Sequence, residues 1–481
     1  MNQPSMAQQE THTIEPQRYI YSDSDLAHFK NSSAKRDLLG FVSSLGRSCA
    51  TTTLEPPFDP NRPLLGLSPG MATLHGALTC MADTWVRDIP PASRERARFG
   101  NQAFRLWHQR LEQRSFTIIK AILDSHLTYL AGIQQQQQAN TSKSSSFSVT
   151  FDYHILQECS NLGIQAAAAA ATSATETLSE TVEPHSLKVT SQDAIIHELQ
   201  AHLHLSFGQP IRLDFGTGHE SCFYIFLLCL FKLGIFGYMD PNLNPSPNSM
   251  APVALSITTQ YLRVCRGLQA DQGYMLEPAG SHGVWGIDDY HCIPFYIGAC
   301  QLQQAIKYCS LESMQQHLLG ELIKPSIIHR DDVLQSDLAS IFIYLGCIKF
   351  VKSLKKVAFF ESSPVLNDIS HCPDWVKVSS GLLRLYEGDV LDRISVVQHF
   401  VFGDLFKGTC IVCPWDDDSN ESFIHVVYNK LYSVDSYHYK YPLATWTPSE
   451  KPRPAPTQTF IHHAGGVEEC VAPLAKTHKN H

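Results

Sequence analysis

Apolar residues recur at three- and four-residue spacings from Tyr21 to Phe406, a period that fits stacked helices and predicts an all-α protein. Ser22 and Asp23 supply capping groups ahead of Leu26, Phe29, Leu38, Leu39, Phe41, Val42 and Leu45. Further helices are expected over residues 71–86 and 99–130, where Phe99, Phe104, Trp107, Leu111, Ile118, Ile119, Ile122 and Leu123 can line one buried face. The pattern resumes near Gln192, runs through an apolar helix at 221–233, and continues to Ala270, over 294–310 and 341–359, and finally over 381–406.

The interruptions divide the chain. A proline-rich connector occupies 55–69, and residues 134–190 hold a glutamine run (134–138), a serine cluster and an alanine run. Sequence of that kind buries too little apolar area to offset ordering, so 134–190 is expected to be a mobile insertion. The polar, glutamine-containing residues 1–18 are expected to be disordered, and the acidic and proline-rich residues 407–481 to form a poorly ordered tail. One helical domain over 19–406 remains, although 481 residues alone suggest about two to four domains.

Charge and cysteine usage exclude several classes of partner. The net charge is −9 with no basic stripe, which argues against nucleic acid. The longest apolar run, 222–231, is too short to span a bilayer and ends at Lys232, so no membrane is expected. Fourteen cysteines show no framework spacing, and several, such as Cys222, Cys229 and Cys347, sit inside apolar runs as small buried hydrophobes. Residues 1–18 lack a secretory apolar core, and Glu10 and Glu15 argue against a mitochondrial presequence. A soluble cytoplasmic protein is expected, with the nucleus also open to it.

Three segments carry candidate chemistry. Residues 277–291 hold Gly280, Gly283 and Gly286 with Trp285 and the adjacent pair Asp288 and Asp289. Glycines there permit positive φ or close approach at about 0.5–1 kcal/mol each relative to alanine. Neighbouring carboxylates cannot face one point from a regular helix, so one can hold a cation while the other caps. A tight interhelical turn with Trp285 as core filler is the competing reading. Residues 212–220, Arg-Leu-Asp-Phe-Gly-Thr-Gly-His-Glu, place Gly216, Thr217 and Gly218 at a helix entrance suited to phosphate, or equally to a simple cap with Asp214 and Glu220 as acceptors. This is neither a Walker loop nor a dinucleotide fingerprint, and Phe223 stands where a zincin needs its second histidine. Gln398 and His399, between apolar neighbours, can meet a buried ligand or be satisfied core groups. Cys410 and Cys413 lack a second pair at zinc spacing, and His197, His202 and His204 read as solvated or capping.

Taken together, these segments resemble the phosphotyrosyl phosphatase activator family, also called protein phosphatase 2A activators. The resemblance rests on residues 212–220, on 277–289, on Tyr344-Leu-Gly-Cys347 and on Val397-Gln-His-Phe400, with weaker agreement over 21–45 and 98–105. Phe215 and Ile287 are mild departures from the family pattern, and the 134–190 and 407–481 segments have no counterpart in it. The resemblance implies an all-α fold of core, lid and linker subdomains. It implies activation of a protein phosphatase 2A-type catalytic subunit with ATP and Mg²⁺, together with peptidyl-prolyl isomerase activity on a proline-containing segment, the scaffold subunit being a further expected partner. By motif position, Arg212, Thr217, Gly218, Gln398, His399 and Phe400 would contact ATP, while the Gly283 carbonyl and Asp289 would hold Mg²⁺. Asp214, Glu220, Glu277, Gly280, Trp285 and Asp288 become candidates for a partner or peptide groove, and no residue is assigned as catalytic. A non-enzymatic assembly chaperone is the alternative, and a free-standing ATPase a third reading weakened by the missing Walker lysine.

Overall fold

Local capping starts the helices where serine and aspartate stand ready. In the computed structural model, Ser22 and Asp25 form a reciprocal capping box at the head of the Asp23–Lys30 helix, with the Ser22 amide donating to Asp25 Oδ2 at 2.9 Å. Ser32 caps Ser33–Cys49, Ser68 caps Pro69–Cys80 with proline in its first turn, and Asp374 caps Trp375–Leu385. The structure describes residues 15–50, 67–92, 100–139, 191–236, 250–270, 273–280, 286–303, 322, 324–355 and 357–407. All of these fall within one compact unit.

The described elements are helices apart from one two-stranded parallel ladder, β1 (Asp214–Phe215) with β2 (Glu277–Pro278). The Pro69–Cys80, Ala103–Ala139, Ser191–Leu205 and Thr217–Lys232 helices pack in succession, each on the next. Ser33–Cys49 lies against both Thr217–Lys232 and Ile293–Leu302, and Ile293–Leu302 in turn packs on Ile343–Leu354 and Trp375–Leu385. Thr217–Lys232 is apolar on every side because it is enclosed: thirteen of its residues, from Thr217 to Leu230 except Gly218, are buried. Phe223 stacks flat on Tyr261 at 3.8 Å, and the Tyr261 hydroxyl donates to the Ser206 carbonyl. Nothing larger than glycine fits at 298, where an added Cβ would run into the backbone of Tyr344.

Several boundaries differ from the sequence reading. The apolar helix begins at Thr217, four residues before 221, because Gly216 in extended backbone ends β1 and lets the chain turn at once into the helix. The Ala103–Ala139 helix runs through the glutamine run into the segment read as an insertion, since glutamine is a good helix former that simply continues an established helix. Residues 15–18 are not disordered: Gln17 pairs with Phe402 in both directions, and the Tyr21 hydroxyl donates to the Arg18 carbonyl. Nor is His202 solvated. It is fully buried one turn from Glu198, whose carboxylate accepts from the Leu405 and Phe406 amides and so anchors the 403–406 segment. Only His197 of the three histidines is exposed. No described helix is long and apolar enough to cross a membrane. The remainder of 134–190, the 408–481 tail, Gly283 and Trp285 lie outside the described residues.

Candidate functional site

The two glycine-bearing segments meet through the short ladder. Asp214 is in register with Glu277 and Phe215 with Pro278, the Glu277 amide donating to Leu213 O at 2.9 Å and the Ala279 amide to Phe215 O at 2.8 Å. Gly216 makes this approach possible, because a Cβ there would stand 2.7 Å from the Ala279 side chain. Leu213, immediately before β1, holds φ at 58°, a left-handed conformation that costs a non-glycine residue on the order of 1–3 kcal/mol. Gly280 holds φ at 69°, which is the conformational use foreseen for a loop glycine.

A third segment closes on the same place. Gly218, in the first turn of the Thr217–Lys232 helix, faces Val396 in the Ile394–Val397 helix, with 3.4 Å between an added Cβ and the Val396 carbonyl. Gln398 and His399 follow directly, both half-buried. Burial lowers the His399 pKa, and the positive fields of Arg18 and Arg212 lower it further against the pull of Asp214. Arg212 grips Asp214 with two nitrogens, at 2.7 and 3.2 Å, and nearly half of its side chain stays exposed. No side chain caps the N-terminus of the Thr217–Lys232 helix, so its dipole is open toward these basic groups. Arg212 and His399 thus lie close together beside the helix start at Thr217 and Gly218, while the Gln398 amide donates to the Ser395 carbonyl. Phe400 is in the core with no exposed surface, its ring edge-on to Phe29 at 6.1 Å, so the structure does not offer it to a ligand. His219, beside them, is held at about 4 by burial, and its Nδ1 lies 2.7 Å from the Leu205 carbonyl.

The adjacent carboxylates divide their work. Asp288 Oδ2 accepts from the Tyr290 and His291 amides at 3.3 and 3.2 Å and caps that turn. Burial raises its pKa, and Asp289 adds to that shift. Asp289 turns outward, 36% exposed, and pairs with the Lys355 ammonium at 3.1 Å. A partly exposed carboxylate is a hard oxygen donor of the kind Mg²⁺ takes, so Asp289 fits half of the expected metal pair, although the Lys355 ammonium occupies one of its oxygens. A small cleft, with room for about one water or bare ion, separates Thr217 from Ile287, Asp288, Asp389 and Val390. The Thr217 hydroxyl is buried there without a hydrogen-bond partner.

Glu220 is not part of a groove. It has no exposed surface, and its Oε2 accepts from the Cys292 and Ile293 amides at 2.8 and 3.1 Å while Oε1 lies 3.1 Å from His291 Nδ1. Gln269 lies 3.2 Å from the other ring nitrogen of His291. The carboxylate therefore ties the 212–220 segment to the start of the Ile293–Leu302 helix, directly behind the aspartate pair. Glu277 and Gly280 are exposed beside the ladder, whereas the carboxylate of Asp214 is mostly buried and taken up by Arg212. Sequence reasoning missed Arg18, Lys355 and Asp389. Arg18 lay in a segment read as disordered, and Lys355 and Asp389 stand at ordinary helix-end positions with no local signature.

Comparison with known proteins follows the same segments. A family model described as phosphotyrosyl phosphate activator (PTPA) protein matches residues 16–162 and 159–408. Serine/threonine-protein phosphatase 2A activator 1 of Schizosaccharomyces pombe is 30% identical over 391 residues, 81% of this chain and 90% of that protein. A probable serine/threonine-protein phosphatase 2A activator 2 of Dictyostelium discoideum is 28% identical over 393 residues, and activator 2 of Yarrowia lipolytica 38% identical over 231. Those two matches span 81% and 48% of this chain but only 64% and 57% of the relatives' own lengths. The fold resembles the crystal structure of the PP2A phosphatase activator Ypa1, with a TM-score of 0.53 at 22% identity over 84% of this chain and 98% of that one.

Proposed function

Because this chain belongs to the phosphotyrosyl phosphate activator family, we propose that it activates a protein phosphatase 2A-type serine/threonine phosphatase by binding the catalytic subunit. ATP and Mg²⁺ take part, and peptidyl-prolyl isomerase activity accompanies the activation. The names of the relatives support the phosphatase as partner. The observation that carries the site is the β1–β2 ladder, which sets Arg212–Glu220 beside the 277–291 segment while Gly218 meets Val396. Arg212, Arg18 and the uncapped helix start favour a polyanion, His399 stands near both arginines, and Asp289 offers a carboxylate to the metal.

Nucleotide and metal, when bound, would supply an anionic group near Arg212 and a divalent charge near Asp289. The protein's own contribution is placement: Arg212 is oriented by Asp214, the 396–400 segment is seated on Gly218, and Glu220 holds the aspartate turn behind the site. Rotation about an X–Pro bond needs no nucleophile, only a surface that binds the twisted imide better than the planar one, against a barrier of about 18–20 kcal/mol for a peptide bond. The absence of an assigned catalytic residue is consistent with that chemistry. The scaffold subunit, and a cytoplasmic and nuclear setting, belong to the same proposal.

Reactivation of an inactive phosphatase catalytic subunit, with ATP and Mg²⁺ present or withheld, is the test. Arg212→Ala and Asp289→Ala are each expected to lower reactivation at least tenfold, and withholding ATP to do the same. Reactivation that persists unchanged without ATP would remove the nucleotide from the proposal. An Asp289→Ala protein that loses reactivation but still isomerises a proline peptide would favour an assembly chaperone over an isomerase.

A further inference from the structure

Lys355 stands at the C-terminal end of the Ile343–Leu354 helix and reaches back across the aspartate turn. Its ammonium has three N–H donors, and three acceptors surround it: Asp289 Oδ2 at 3.1 Å, Ser362 O at 2.7 Å and Ser363 Oγ at 3.2 Å. The side chain is 17% exposed. Lys355 therefore links the outward carboxylate of the turn to the junction between the Phe359–Ser362 and Pro364–Ile369 helices. A divalent cation takes a carboxylate oxygen at about 2.0–2.6 Å, depending on the metal. Bound to Asp289 Oδ2, it would face the ammonium across a single oxygen atom, and two like charges at that separation repel strongly in a half-buried setting. The two cations therefore compete for that oxygen.

We propose that Lys355 is a tethered counter-ion that a divalent cation has to displace from Asp289, so that this lysine sets the cation affinity of the site and its release loosens the 358–367 junction. This rests on the reading of Asp289 as a cation ligand given above. Where repulsion swings the ammonium away from the turn, the Ser362 carbonyl and Ser363 hydroxyl also lose their shared donor. The amides of Ser362, Ser363 and Asn367, which bond within the junction to Ala358, Phe359 and Ser363, lose that clamp. Val357 and Phe360, each 61% exposed, lie on or beside this segment, so cation binding would alter how an apolar pair is presented at the surface.

Isothermal titration of the full chain with MnCl₂ and with MgCl₂, at constant ionic strength and without nucleotide, tests the proposal. Lys355→Met is expected to bind either cation at least tenfold more tightly than the wild type, and Lys355→Arg, which keeps the charge, to stay within about threefold of it. Asp289→Asn should weaken binding at least tenfold in both the wild-type and Lys355→Met backgrounds. In the wild-type protein, where folding is not in question, saturating Mn²⁺ or Mg²⁺ should speed hydrogen exchange of the 362–367 amides severalfold. If Asp289→Asn weakens binding but Lys355→Met does not tighten it, or exchange at 362–367 stays unchanged on saturation, the lysine is only a structural tie and the proposal is overturned. If Asp289→Asn leaves the affinity unchanged, the reading of Asp289 itself fails and takes the proposal with it.

Discussion

Gly216 shows how one missing methyl organises the site. Its φ is −167°, ordinary extended backbone, so the requirement for glycine is one of space against Ala279 and not of conformation. Gly216→Ala is expected to destabilise the protein by about 1–3 kcal/mol, the usual range for overpacking. Adding Ala279→Gly should recover most of that loss, because the clash is between these two side chains. Urea unfolding of the two single variants and the double variant gives the coupling; equal losses in the presence and absence of Ala279→Gly would show that the strain lies elsewhere. Asp288 and Asp289 make a second point at this scale. Adjacency in the sequence already separated a capping role from an outward-facing one, and the geometry gives capping to Asp288 and an ion pair with Lys355 to Asp289.

Among elements, Glu220 does the joining. A buried carboxylate that accepts from two backbone amides and faces an imidazole holds the Thr217–Lys232 helix to the first turn of Ile293–Leu302. Glu220→Ala would leave these buried groups unsatisfied and is expected to cost about 3 kcal/mol or more. Faster hydrogen exchange at the Cys292 and Ile293 amides would localise the damage, whereas a loss below about 1 kcal/mol would mean that water replaces the carboxylate. The Ile293–Leu302 and Ile343–Leu354 helices depend on Gly298 in the same way, since any Cβ there meets the Tyr344 backbone. Gly298→Ala should therefore lower stability by at least about 2 kcal/mol, because a backbone obstacle cannot rotate aside. A thermal midpoint within a degree of the wild type would refute this.

For the whole molecule, buried imidazoles set an acid limit. Burial brings His126, His204 and His219 from 6.5 down to about 4. Between those values the unfolded chain binds protons that the folded chain refuses, so stability is full above about pH 6.5 and falls as the pH drops toward 4. Thermal midpoints should decline over this window, and less steeply in a His219→Gln variant; a profile flat from pH 7 to 5 would contradict the assignment. The helical class, most of the longer helices and the three motif segments were legible along the chain, because period, caps and glycine placement are properties of neighbouring residues; the short helices over 325–341 and 359–369 have too few residues to show a period. Gln17 against Phe402, Glu198 under Leu405 and Phe406, and Lys355 on Asp289 were not, since each joins residues far apart along the chain. The resemblance named Glu220 as a groove candidate and Phe400 as a nucleotide contact, but packing puts the Glu220 carboxylate and the Phe400 ring inside the core. Residue order thus marks which segments are candidates for chemistry, while long-range packing decides which of their side chains stay accessible, because burial and charge pairing depend on neighbours that only folding brings together.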